Sequence, residues 1–224
     1  MTSPEIGKIK VWDLPVRICH WSFAVIVPAM WWTAENGEMG WHMRLGIMLL
    51  GLLVFRILWG LMGSSTARFS QFLRGPGKVI AYFSGRSEWK ADDIGHNPAG
   101  GWSVVALLLA MLAQVSFGLF SGDPYDGATG PLNEKVGVMT ADTLTELHET
   151  FFYGLLALVC LHLLAVIYYS VVKKDRIVPP MLTGKRAAPE GVAGMVAAPA
   201  WRVLVGVVIA FAVMWWVWSG GPGL

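Results

Sequence analysis

Five stretches of the chain carry apolar side chains at most positions, with neither the alternation of a strand nor the one-sided stripe of a surface helix. They run Ile18 to Trp32, Leu45 to Met62, Trp102 to Phe120, Phe151 to Val172 and Val203 to Trp218. A helix apolar all round, close to the roughly 20 residues that cross a bilayer core, belongs in lipid rather than on one side of a soluble core. The pattern predicts an all-α integral membrane protein with five transmembrane helices. The first is the shortest and contains Pro28, which a bundle tolerates because neighbouring helices satisfy the backbone groups that a proline frees.

Composition agrees: 55% of the residues are hydrophobic and 14% charged, with a mean hydropathy of +0.55. The net charge of +2 hides an asymmetry along the chain. Basic residues gather before the first stretch (Lys8, Lys10, Arg17), between the second and third (Arg68, Arg74, Lys78, Arg86, Lys90) and between the fourth and fifth (Lys173, Lys174, Arg176, Lys185, Arg186, Arg202). The other two connections hold Arg44 and Lys135 against Glu35, Glu38, Asp123, Asp126, Glu134, Asp142, Glu146 and Glu149. Cytoplasmic loops retain Lys and Arg, so the N-terminus is expected inside and the C-terminus outside. The first apolar run lacks a small-residue cleavage site and is followed by further spans, as in a retained anchor.

No internal repeat, nucleotide-binding glycine pattern or metalloprotease motif interrupts this arrangement, and nothing points to nucleic acid. Residues 1–186 are expected to form a four-helix core, 187–200 a linker and 201–224 an additional C-terminal helix. The linker lies in the Pro, Gly and Ala-rich run KRAAPEGVAGMVAAP, Lys185 to Pro199. The last helix has no histidine, and its WWVW run suits an interfacial aromatic belt, for partner docking or simple anchoring.

Four of the five histidines sit inside these segments or at their ends: His20, His42, His148 and His162. His148 and His162 are fourteen residues apart, a helical rise of about 21 Å through nearly four whole turns, which puts both on one face at two membrane depths. Alternating helix directions then pair His20 with His162 at an inner level and His42 with His148 at an outer level. The inner pair requires a tilted cofactor or an inward extension of the fourth helix, because His162 falls nearer the midplane than His20. Neutral imidazoles in pairs suit the axial positions of haem iron, and two such ligands leave no open position, which favours electron transfer over oxygen binding. A structural zinc site would gather its ligands at one place. A histidine-based proton or metal transporter without haem is the competing class, and an anchoring subunit with structural haem a third. Cys19 and Cys160 belong to no CxxCH run, which argues against covalently attached haem, and read as buried packing residues.

Haem propionates call for positive charge, and Arg56, fourteen residues after His42, is the leading candidate at the inner level. Arg17, three residues before His20, and Arg44, two after His42, are further candidates, although snorkelling to the interface also explains them. Trp102 and the tryptophans at 12, 21, 31, 32, 41 and 59 read mainly as interfacial anchors. His96, in GHNPAG, sits where Asn97 and Pro98 start a helix. Its reading divides between structural capping and proton handling at a quinone site.

The order of VWDLPVRICHW (Val11 to Trp21), GWHMRLG (Gly40 to Gly46), FRILWG (Phe55 to Gly60), GHNPAG (Gly95 to Gly100) and LHETFFYGLLALVCLH (Leu147 to His162) resembles the prokaryotic cytochrome b561 group, together with the b-type cytochrome subunits of nickel-iron hydrogenases. The resemblance covers Val11 to Arg186, and the fifth helix departs from the four-helix b561 pattern. It implies a four-helix core holding two non-covalent haem b groups, with His20, His42, His148 and His162 as axial ligands to iron, in a bacterial inner membrane. The expected activity is electron transfer between the quinone pool and a periplasmic c-type cytochrome, hydrogenase or other redox subunit. The acidic outer loops would dock that partner. Superoxide oxidation at the outer haem, with quinone as acceptor, is compatible with the same motifs.

Overall fold

The computed structural model describes residues 6–86, 94–123 and 128–223. Lys90 and Asp126, counted among the loop charges, lie outside the described residues. Among the described residues, five helices are long and apolar enough to cross a membrane: α1 (Leu14–Glu35), α2 (Met39–Met62), α5 (Pro98–Phe120), α6 (Val138–Val171) and α8 (Ala200–Trp218). The protein is a multi-pass membrane protein of the all-α class. Short elements fill the connections: α3 (Phe69–Phe72), α4 (Pro76–Phe83), α7 (Val178–Thr183), and the strands β1 (Ile6–Lys10), β2 (Gly122–Asp123), β3 (Ala128–Thr129) and β4 (Lys185–Pro189).

The spans are longer than the apolar runs that predict them, and α6 differs most. It has 34 residues, a rise of about 51 Å against a bilayer core of about 30 Å. The added part, VMTADTLTELHET, is polar enough to escape a hydrophobicity criterion, yet it contains neither Pro nor Gly and so does not break the helix. His148 therefore lies well inside a helix rather than at its start.

The chain divides into two compact units, each drawing on several helices. The first comprises residues 1–18, 57–106 and 161–203. At its centre the Asp13 carboxylate accepts the backbone N–H of Val16 at 2.8 Å and the Trp59 indole N–H at 2.8 Å, and it also takes the Ser64 hydroxyl. One side chain thus caps α1 and ties it to the end of α2. Trp12 and Trp59 are buried here, at 9% and 2% exposure, so they are collar residues rather than interfacial anchors. Gly184 ends α7 with φ of 78°, and its carbonyl accepts N–H groups of Val11 at 2.8 Å and Trp12 at 3.2 Å. A Cβ at Gly184 would stand 2.7 Å from the Trp12 carbonyl oxygen, so both the backbone twist and the space demand glycine.

The Pro, Gly and Ala-rich run is strapped down along its length. β4 pairs antiparallel with β1, from Lys10 opposite Lys185 to Ile6 opposite Pro189. Met195 N–H reaches the Lys10 carbonyl at 2.8 Å, Val196 and Ser65 exchange hydrogen bonds at 3.0 Å, and Arg202 donates to the Met62 carbonyl at 2.8 Å. On α4, the Tyr82 hydroxyl meets that of Tyr169, in the last turn of α6, at 2.6 Å. Burial first, and this hydrogen bond second, push the Tyr82 phenol well above its ordinary pKa and keep it neutral.

The second unit comprises residues 19–56, 107–160 and 204–224. In it α8 meets α2 where Met214 lies over Gly51, a contact that any Cβ on Gly51 would occupy. Edge-to-face rings of Phe117 and Phe151, 5.6 Å apart, join α5 to α6, and the Asn133 amide fills the space over Gly122 beside the β2–β3 pair.

Replacing Asp13 by Ala removes a helix cap and two side-chain bonds together. The cap alone is worth about 1 kcal/mol, and each net hydrogen bond adds about 1 kcal/mol. The expected outcome is a thermal midpoint several degrees lower in detergent, read by loss of helical circular dichroism.

Candidate functional site

The second unit brings His42 and His148 together. Their ring centroids are 6.0 Å apart and their planes nearly perpendicular, at 88°. His42 is in the first turn of α2 and His148 one third of the way along α6. Each ring is held from a third element. His42 Nδ1 lies 2.9 Å from the Met30 carbonyl on α1, and His148 Nδ1 lies 2.9 Å from the Gln114 carbonyl on α5. A carbonyl only accepts, so His42 Nδ1 carries the proton and the lone pair of that ring is left on Nε2. His148 Nδ1 lies 2.9 Å from the Gln114 carbonyl and 3.2 Å from the Gln114 amide nitrogen, and the shorter contact favours the same tautomer. That is the tautomer a metal ligand needs.

α5 carries no histidine but holds the ring of His148. The Gln114 side chain, 8% exposed, returns a bond from its amide N–H to the His148 carbonyl at 2.8 Å, so the two residues clasp each other twice. One turn further on, a Cβ at Gly118 would stand 2.8 Å from His148 Cε1. Gly118 therefore leaves the slot in which the imidazole lies. Sequence reading overlooked both residues. The signal that could have found them is a lone amide and a glycine spaced i, i+4 in an otherwise apolar helix.

The other candidates fall as follows. His162 lies on α6 with His148, at the fourteen-residue spacing, but within the first compact unit; His20 lies on α1 in the second. Both are partly buried. Arg56 is on α2, 5% exposed, fourteen residues from His42. Arg17 donates from its guanidinium to the Leu182 carbonyl near the end of α7, and Arg44 is exposed with its guanidinium 5.1 Å from the centre of the Trp41 ring. His96 is sandwiched, its ring centre 4.6 Å from both Trp12 and Phe72. Cys19 is buried, as expected of packing, whereas Cys160 is exposed on α6.

A bundle of apolar spanning helices that presents imidazoles to its interior is the architecture of the membrane b-type cytochromes. The family model described as prokaryotic cytochrome b561 matches residues 11–184, and the chain belongs to that family. A similar curated protein is a probable Ni/Fe-hydrogenase B-type cytochrome subunit from Bradyrhizobium diazoefficiens, 24% identical over 211 residues that cover 80% of this chain and 85% of that protein. No solved structure matches. The protein is thus a b-type cytochrome of membrane electron transfer.

Haem b is the cofactor this family implies, and the residues fit it. His42 and His148 would hold its iron through their imidazoles, and the bound haem would supply a one-electron couple.

The slot makes a direct prediction. Gly118→Leu drives a side chain into the space of the His148 ring and is expected to lower the haem content of the purified protein, measured as pyridine haemochrome. Gly154→Leu, on α6 where a Cβ meets nothing within 4 Å, is expected to leave it unchanged.

Proposed function

We propose that the protein is a dihaem cytochrome b that moves electrons across the bacterial inner membrane, between the quinone pool and a redox protein at the periplasmic face. Residues 1–186 form the haem-binding core in this reading. His42 and His148 ligate an outer haem, and His20 and His162 an inner one. The observation that carries the proposal is the opposed pair His42 and His148, joined through α6 to a second histidine one face and about 21 Å away.

Bound haem supplies the one-electron couple, and everything else is the work of the chain. The Met30 and Gln114 carbonyls fix ring tautomer and orientation, so neither imidazole has to reorganise when the charge at the site changes. With His42 and His148 both holding the iron, no position would be left open to oxygen. Arg56, 5% exposed on α2, would offset the negative charge of the inner haem's propionates, with Arg17 and Arg44 as further cations. His96 handles the proton that accompanies quinone chemistry, beside the flat faces of Trp12 and Phe72. The name of the similar Bradyrhizobium diazoefficiens protein favours a hydrogenase as the periplasmic partner. The acidic residues Glu134, Asp142, Glu146 and Glu149 would receive a basic surface of that partner.

The test is the haem-to-protein ratio of the purified protein and of its alanine variants. Two haems per chain are expected, one lost with His42→Ala or His148→Ala and the other with His20→Ala or His162→Ala. A ratio of one, or losses that do not pair in this way, contradicts the wiring. His96→Phe is expected to keep both haems and their reduction by dithionite while slowing reduction by a quinol at least tenfold.

A further inference from the structure

α4 lies on the connection between the second and third spans, and two contacts fix its direction. Just before it, the Arg74 carbonyl accepts the indole N–H of Trp102, in the second turn of α5, at 2.8 Å. In its last turn, the Tyr82 hydroxyl meets that of Tyr169, in the last turn of α6, at 2.6 Å. Consecutive spans run in opposite directions, so the start of α5 and the end of α6 come to the same membrane surface. A helix of 8 residues is about 12 Å long. Tied at its two ends to the ends of two spans, it must lie along that surface rather than enter the bilayer.

Its side chains suit such a position. Val79, Ile80 and Phe83 fall within an arc of about 100°, and Ile80 and Phe83 are 64% and 74% exposed. Lys78 and Tyr82 occupy the opposite side. From Arg68 to Arg86 the chain holds four basic residues, Arg68, Arg74, Lys78 and Arg86, and not one acidic residue. Arg74, Lys78 and Arg86 are exposed. A short helix with exposed apolar side chains at the interface, flanked by the exposed cations Arg74, Lys78 and Arg86, matches the acyl and headgroup layers of an anionic bilayer.

We propose that α4 is a membrane-surface helix that seats Ile80 and Phe83 among lipid acyl chains and holds anionic phospholipid headgroups with Arg74, Lys78 and Arg86. The cations reach the headgroups on flexible stems while the apolar arc faces the hydrocarbon. The anchor pair Tyr82–Tyr169 and the bond from Trp102 to Arg74 transmit the position of the helix to α6 and α5. The proposal does not depend on which haems are bound.

The experiment is hydrogen–deuterium exchange of the full-length protein in nanodiscs of phosphatidylcholine alone and of phosphatidylcholine with phosphatidylglycerol, followed in peptides spanning residues 74–86. Exchange is expected to slow about fivefold or more with the anionic lipid, since each cation near such a surface contributes about 1 kcal/mol. The triple variant Arg74→Gln, Lys78→Gln, Arg86→Gln is expected to lose that difference while peptides from α2 exchange as before. Equal wild-type exchange in the two lipids overturns the proposal without reference to any variant. Slowing by inorganic phosphate in phosphatidylcholine alone also overturns it, because it assigns the cations to a soluble anion.

Discussion

The structure turns on the hydrogen bond from an imidazole Nδ1 to a backbone carbonyl of another helix. Inside an apolar bundle a histidine has few partners, and an unsatisfied N–H costs far more there than in water. His42 and His148 meet this constraint in the same way, with Met30 on α1 and Gln114 on α5 as acceptors. The satisfied nitrogen decides the tautomer, and the tautomer decides that Nε2 carries the lone pair. Four helices, α1, α2, α5 and α6, are thereby committed to one geometry around one pair of rings.

Close approach is the second condition, and small residues meet it. Gly118 gives the His148 ring its slot, and Gly51 gives Met214 its seat between α2 and α8. Lipid supplies no hydrophobic force between helices, so contacts of this kind and the polar clasps beside them carry the association. The clasps are Gln114 with His148 in one unit and Asp13 with Trp59 and Ser64 in the other. Neither clasp is a simple core contact, since each joins two helices and orders a side chain of consequence.

The class of fold and the approach of His42 to His148 were legible in the sequence because their signals are one-dimensional. Apolar runs mark the spans, and a fourteen-residue interval on a helix is a statement about faces. Their limits show in α6, whose polar first thirteen residues are helical through the absence of breakers rather than through hydrophobicity. What stayed hidden depends on partners distant along the chain. Gln114 is an ordinary residue until His148 is brought beside it, and the Pro, Gly and Ala-rich run reads as a plain linker until β1 and Ser65 are found along it. Trp12 and Trp59 look like any interfacial tryptophans, and only Asp13, Ser64 and the GHNPAG turn make them part of a buried collar. α4 escapes for a related reason: eight residues are too few for a periodicity to stand out, and its position comes from Trp102 and Tyr169.

Haem ligation by the opposed imidazoles of His42 and His148 is tested most directly by electron paramagnetic resonance of the oxidised protein. Two histidines on one ferric iron give a low-spin centre, and ring planes near 88° apart leave two iron d orbitals almost equal in energy, which makes its signal strongly anisotropic. The predicted spectrum holds such a low-spin signal, absent from His148→Ala, with no high-spin haem. A high-spin ferric signal in the unaltered protein, meaning an axial position left open, would contradict the central claim.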